Sequence, residues 1–315
     1  MDKTPFFLAP EYRDYVWGGS RLRPDVVPTA EAWIIFAGNR IASGPYAGRA
    51  LSDLSLEFGA DLLGSKAVAQ TGNRFPVLVK VLDCAQWLSL QVHPNDEQAK
   101  HLEGEGFFGK TEAWHILEAE PNAELIAGIK PNVPIEQLAS AIQSKSGKIL
   151  ELVEKVKVVP GDTLFMNPGT IHALGPGLLI YEIQQTSDLT YRVYDWGRPE
   201  TETRKLHIKK AVAVANPNAA SLPVKPPQMD DGEVITLTQC QYFQLDAVQI
   251  EKKNVRMETG GDSFHGLTVI EGRVQVSAEG EAFILNKFET LLIPACCGVY
   301  QIQPFQKSRV LKASV

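Results

Sequence analysis

The 315-residue sequence predicts a mainly β protein of barrel or sandwich type, decorated by a few helices. Three observations lead there. Short runs rich in Val, Ile, Leu and aromatic residues recur along the chain, each closed by Gly, Pro, Asn or Asp. Stretches with helical periodicity are few. Strands do not alternate regularly with helices, as a parallel βαβ arrangement would require.

In chain order, strands are expected at "FPVLVKVLD", "WLSLQVH", "EAWHILEA", "AELIAGI", "DTLFMNP", "LLIYEIQQ" and "LTYRVYDW", then at "EVITLTQC", "YFQLDAV", "GLTVIEG", "FETLLIP" and "VYQIQP". Helical spacing predicts helices in "ALSDLSLEFGADLLG" (50–64), in "NDEQAKHLE" with Asn95 as N-cap, and from "PIEQLASAIQ" through "KILELVEKV". The proline-rich, aperiodic stretch 215–233 reads as a boundary, giving a domain of residues 1–222 and a smaller strand-rich one of residues 230–315. The tail repeats an earlier pattern. "FETLLIPACCG" echoes "GDTLFMNPGTIH", with Gly298 where the first copy has His172. That suggests a duplicated barrel whose second copy holds no metal.

Composition narrows the function classes. Hydrophobic residues make up 44% and charged residues 22%, ordinary for a globular protein. A net charge of −6 lacks the clustered basic excess of a nucleic-acid footprint, so no nucleic acid is expected. No run of about eighteen apolar residues and no leader-like apolar stretch occurs, so no membrane is expected and the cytoplasm is the expected location. Cys84, Cys240, Cys296 and Cys297 have no C-x-x-C spacing and read as reduced, structural thiols.

The chemistry starts at "WLSLQVHPND". As a strand, this run puts Trp87, Ser89, Gln91 and His93 on one face and Leu88, Leu90 and Val92 on the other. Either the polar row faces solvent at a sheet edge, or it is buried and needs partners, because a bare buried polar group costs roughly 1–3 kcal/mol. In "GKTEAWHI" the same alternation aligns Lys110, Glu112 and Trp114, leaving His115 as a structural histidine, and His172 follows the "NPGTIH" turn. Two imidazoles, a carboxylate and an amide oxygen make a mixed N/O set suited to a zinc with an open position, and chemically also to iron(II). Glu182, Asp188, Arg192 and Arg198 follow in "YEIQQTSDLTYRVYDWGR", either as a cross-strand ion-pair ladder or as a site for an anion. Thr190, Arg192 and Tyr194 are expected on one face of their strand. Lys100, Lys110 and Arg192 would supply local positive charge.

These motifs, "LSLQVHPNDEQA", "GKTEAWHI", "GDTLFMNPGTIHAL" and "EIQQTSDLTYRVYDWGR", resemble those of the type I mannose-6-phosphate isomerase family in its short bacterial form, in family order from "YVWGG" to about residue 215. The resemblance implies cupin barrels, that is, a double-stranded β-helix (jelly roll). It implies one Zn2+ per chain on Gln91, His93, Glu112 and His172, and Arg192 as the active-site arginine. It places Ser89 and Lys110 beside the substrate and Glu182 and Asp188 near the arginine. Lys100 and Arg198 complete the expected sugar-phosphate contacts. One departure is Ile34, where the family often has an acid after "EAW".

The reaction so implied interconverts mannose 6-phosphate and fructose 6-phosphate through a cis-enediol. For the carbon base, Glu182, Asp188, Lys110 and a metal-bound hydroxide stay open. Two other readings of the same residues are an iron(II) cupin dioxygenase and a non-catalytic sugar-phosphate-binding cupin.

Overall fold

The run from Trp87 to His93 forms a strand only at Leu90–Val92, and its neighbours decide what its two faces meet. It is not at an edge. In the computed structural model, which describes residues 1–26 and 28–315, it lies between Tyr191–Tyr194 and His172–Leu174 in a five-stranded antiparallel sheet continued by Glu124–Ile129 and Val153–Lys157. A six-stranded sheet runs in the order Thr163–Met166, Glu112–Ala119, Leu178–Gln185, Val77–Cys84, Glu31–Ile35, Glu11–Arg13. Few helices interrupt this mainly β chain, and none of those described is long and apolar enough to cross a membrane.

Alternation sorts the side chains. Leu82, Trp114, Ile116, Leu164 and Ile180 of one sheet form a single buried cluster with Leu125, Ala127 and Leu174 of the other. The opposite face of the five-stranded sheet, with Leu90, Val92, Ile126, Ala173, Tyr191 and Val193, packs on Leu138 and Ile142 of the helix Ile135–Gln143 and on Ala211 and Val214 of the helix Ile208–Val214. Gln91, His172 and Arg192 have the parity opposite to this helix-covered face. Followed along each strand, the interior row changes from apolar to polar: Ile116 and Trp114 give way to Glu112, Ile180 to Glu182, Leu82 to Lys80, Leu174 to His172. One end of the interior is therefore oily and the other is chemically equipped.

The chain divides into two compact units: Tyr12–Ala32 with Lys80–Lys225, and Met1–Glu11 with Trp33–Val79 and Pro226–Val315. One crossing between the units falls at Lys225–Pro226, and early segments group with the C-terminal residues. Phe6–Ala9 pairs antiparallel with Thr290–Ile293, in register at Phe6 and Leu292, inside a seven-stranded sheet. Pairing across so long a stretch of chain leaves no mark in the local sequence. A four-stranded sheet, Val255–Glu258, Val299–Pro304, Val274–Ala278, Glu281–Leu285, lies in the same unit.

Helices follow expectation at Leu51–Phe58 and at Asp96–Glu103, where Asn95 and Gln98 form a reciprocal capping box. The expected helix through "KILELVEKV" does not continue. Gly147–Glu151 is a single 3-10 turn and Val153–Lys157 is an edge strand whose Glu154 and Lys155 face outward. Its charges suit a sheet edge as well as a helix surface.

Candidate metal centre and catalytic cavity

His93, Glu112 and His172 come from the end of one strand and the starts of two others, and all three are buried. Their ligand-type atoms converge within 4.8 Å. His93 Nε2 lies 3.1 Å from His172 Nε2, and Glu112 Oε1 and Oε2 lie 3.3 Å and 3.6 Å from His172 and His93 respectively. Two ligands of one tetrahedral zinc, each at about 2.0–2.1 Å, stand about 3.3–3.5 Å apart.

The tautomers are set from behind. His93 Nδ1 donates to the carbonyl of Leu189 at 2.7 Å, and His172 Nδ1 to that of Thr170 at 2.9 Å. Each neutral ring then carries its lone pair on Nε2; His93 Nε2 faces Lys110 Nζ at 3.3 Å, and no proton lies between the two imidazole nitrogens. Burial, then the charge of Lys110, holds both imidazoles in the neutral form, His172 at about 4 and His93 well below its ordinary value. Neither Glu112 oxygen receives an aligned hydrogen bond, although Lys110 Nζ faces Oε2 at 2.9 Å as an ion pair. Burial pushes the Glu112 carboxyl up to about 7 against the pull of that ammonium. A divalent cation answers all three anomalies at once. Gln91 is the next neighbour, paired in register with His172 and with its side-chain Nε2 3.4 Å from His172 Nε2; rotation of the amide exchanges that nitrogen for an oxygen.

Beside this centre opens a cavity of about 610 Å³, lined by Ser89, Gln91, Lys110, Glu182, Asp188 and Arg192 among others. Its charge is organised by Lys80, whose Nζ lies 3.5 Å from Glu31, 3.6 Å from Glu182 and 3.5 Å from Asp188. Burial disfavours charge on Glu182, but Lys110, Lys80 and the indole N–H of Trp114, which donates at 3.1 Å, outweigh it and hold the carboxyl below its ordinary value. Burial likewise opposes charge on Lys80 and Lys110, and the surrounding carboxylates reverse the direction for both. The wall thus sets two buried lysines, Lys80 and Lys110, among the carboxylates of Glu31, Glu112, Glu182 and Asp188.

Residues 6–106 match the family model of the phosphomannose isomerase type I catalytic domain. Mannose-6-phosphate isomerase ManA of Bacillus subtilis is 34% identical, with 97% of this chain and 98% of the relative covered. The chain belongs to the type I mannose-6-phosphate isomerase family. A mannose-6-phosphate isomerase of Streptococcus mutans is 33% identical with 92% of each chain covered. The crystal structure of the Bacillus subtilis mannose 6-phosphate isomerase superposes with a TM-score of 0.86 at 32% identity over 99% of both chains. A phosphomannose isomerase variant from Salmonella typhimurium, at 18% identity and a TM-score of 0.78 over 98% of both chains, shares the fold.

Within this isomerase family member, the structure gathers most of the residues expected from the sequence and leaves two outside. His115 is bonded to Thr163, as a structural histidine should be. Lys100 is exposed on the helix Asp96–Glu103 and does not line the cavity. Arg198 donates to Asp195, Gln86 and the carbonyl of Trp87, so it braces a turn and is also absent from the cavity wall. The ion-pair ladder joining Glu182, Asp188 and Arg192 does not form. The two acids turn to Lys80, and Arg192 Nη1 donates to the carbonyl of Lys205 at 3.1 Å. Tyr194 does not share the face of Arg192, because the register shifts between them and Tyr194 packs toward the helices. Sequence reasoning missed Lys80 and Glu31. The available signal was a lysine in the middle of the apolar run "VLVKVL", which a buried strand keeps only with acids around it.

Proposed function

We propose that the protein is a zinc-dependent isomerase that interconverts mannose 6-phosphate and fructose 6-phosphate by cis-enediol proton transfer. The observation that carries this reading is the pair of neutral imidazoles whose Nε2 atoms face each other beside the buried Glu112 carboxylate, at the head of a cavity whose wall holds the buried Glu182 carboxylate. His93, Glu112 and His172 would hold the metal, with Gln91 as the fourth group. When bound there, zinc supplies a Lewis acid that polarises a sugar carbonyl without changing its own oxidation state.

The chain's own residues supply the rest. Glu182 suits the role of carbon base: it is buried beside the centre, and Lys110 and Lys80 keep it ionised at neutral pH, as a proton acceptor must be. Asp188 is more exposed and, through Lys80, helps to fix the charge of the wall. Lys110 stands between Glu112 and Glu182, at 2.9 Å and 3.8 Å, where its ammonium can hold a proton near the substrate oxygens. Arg192 is level in register with Gln91, itself level with His172, so its guanidinium faces the same interior row and can stabilise a developing enediolate oxygen. Ser89, buried on the wall, offers a hydroxyl to the sugar.

A coupled assay for fructose 6-phosphate from mannose 6-phosphate, run in an oxygen electrode, tests this function. Product formation without oxygen uptake is expected. Oxygen consumption would indicate an oxygenase, and tight sugar-phosphate binding with no product would indicate a binding protein.

A further inference from the structure

Trp114 joins two parts of the centre that have so far been treated apart. Its strand, Glu112–Ala119, pairs antiparallel with Leu178–Gln185, in register at Trp114 and Glu182, so the two side chains stand side by side on the interior face. The indole N–H donates to Glu182 Oε2 at 3.1 Å, and the ring meets the His172 imidazole in a T-shaped contact, with centroids 5.3 Å apart and planes at 75°. One side chain therefore touches both an imidazole of the metal centre and the carboxylate assigned to carbon-proton transfer.

The indole is itself held. It is buried in the apolar cluster of Leu82, Ile116, Leu164 and Ile180, and a side chain with only two torsions has little freedom left in such packing. Packing alone does not ask for the nitrogen. A ring without an N–H would fill this space, whereas a buried N–H must find an acceptor. The acceptor here is a buried carboxylate, which is costly to keep unless it is engaged.

That engagement makes the two carboxylate oxygens unequal. Oε2 is taken by the indole, while Oε1 receives no hydrogen bond and faces the ammonium groups of Lys80 and Lys110 at 3.6 Å and 3.8 Å. The last torsion of a glutamate is broad and roughly two-fold, so without a fixed partner the two oxygens exchange places.

We propose that Trp114 is a positioning residue for the proton transfer: by tying down Glu182 Oε2 and bracing the His172 ring, it presents Oε1 to the substrate at a fixed offset from the metal centre. The inference rests on the isomerase reading and on Glu182 as the carbon base. The step it serves is balanced within the substrate. The C2–H bond of open-chain mannose 6-phosphate breaks, the proton passes to Oε1, and the electron pair becomes the C1–C2 double bond with negative charge on O1. The C2 hydroxyl proton then passes to O1, and the proton held on Glu182 returns to C1 to leave a ketone at C2. Delivery to two adjacent carbons needs one oxygen in one place.

Trp114→Phe removes the N–H and keeps a ring. Benzothienylalanine at position 114, with sulfur in place of the N–H, keeps the full bicyclic shape should the smaller ring unsettle the fold. Each change is made in the wild-type and in the Glu182→Gln background and assayed for kcat, KM and bound metal, and the single variants also for the isotope effect with mannose 6-phosphate deuterated at C2. In the wild-type background kcat should fall about ten- to a hundredfold, the loss expected for one hydrogen bond to a charged group. KM should stay within about twofold, metal should be retained, and the isotope effect should be at least as large as before. In the Glu182→Gln background neither change should lower kcat by more than about twofold, because no base is left to position. A kcat within twofold of wild type, an equal loss in both backgrounds, a smaller isotope effect, or metal loss from the benzothienyl protein overturns the positioning role. So does a Glu182→Gln variant with near-normal kcat. All of these leave the isomerase reading intact, whereas a wild type that forms no fructose 6-phosphate overturns that reading.

Discussion

Two interiors built from antiparallel strands of one chain treat polar groups in opposite ways. In the unit of Pro226–Val315 and its N-terminal segments, Val248, Leu267, Val269, Val276, Leu291, Ile293, Ile302 and Val310 form a continuous apolar cluster. Its polar intruders satisfy each other, His265 Nδ1 meeting the Tyr300 hydroxyl at 2.7 Å. In the unit of Tyr12–Ala32 and Lys80–Lys225 the polar groups, with Lys110 beside them, converge on a common centre: two imidazole nitrogens and a carboxylate. The echoing turns show where the two part. After Pro168 the chain reaches His172 and enters a strand; after Pro294 it makes a short 3-10 turn and Gly298 at φ 81°, with no side chain to offer. A β interior tolerates a polar row either as a self-satisfied pair or as a site that an outside ion completes. The second kind is function.

The comparison is broken most severely at the metal centre. His93→Ala or His172→Ala should lose bound zinc and turnover together, by at least about three orders of magnitude, because removing one of three protein ligands leaves an incomplete site. Metal analysis and the coupled assay on the same preparation check both halves of that statement.

Arg192→Ala comes next, with kcat and kcat/KM falling by about two to four orders of magnitude, in line with loss of a major electrostatic stabiliser. Bound metal should persist and the melting temperature should barely move, since no ion pair depends on this arginine. A near-normal kcat with a raised KM would instead move Arg192 to the phosphate.

In the apolar unit the expected effect is on stability alone. Ile302→Ala, at a fully buried position, should cost about 2–5 kcal/mol in a denaturant titration while metal content and KM stay at wild-type values. Loss of metal from this variant would mean that the two interiors are not functionally separate.

The last effect concerns acid, and it vanishes at neutral pH. Burial, then Lys312, holds His265 down to about 3 in the folded protein, while an unfolded chain protonates it near the ordinary 6.5. Below about pH 6.5 the unfolded state therefore binds the extra proton and stability falls, by roughly 1 kcal/mol per pH unit, until the folded pKa is reached. His265→Gln should flatten that slope between pH 6.5 and 4 in denaturant midpoints; an unchanged slope would assign the acid sensitivity elsewhere.

Much of this was legible in the sequence where a local rule governs. Alternation placed Gln91 and His93 on one face, and Asn95 announced a helix start. What was not legible depends on contacts between distant segments. Nothing near Phe6 tells that it pairs with Leu292, and nothing near Arg198 tells that Gln86 and the Trp87 carbonyl engage it. The charged strand Val153–Lys157 misled because an exposed sheet edge and an exposed helix face select the same residues. Lys80 was overlooked because its three acids, Glu31, Glu182 and Asp188, are scattered along the chain and meet only in the fold.

The central claim is that one metal ion on His93, Glu112 and His172 makes this cavity an isomerase. Stripping the protein with a chelator and titrating zinc back, while following bound metal and fructose 6-phosphate formation in parallel, tests it most directly. Activity should vanish with the metal and return linearly, saturating at one zinc per chain. Full turnover by the metal-free protein, or zinc bound in equal amount by the His172→Ala variant, would contradict it.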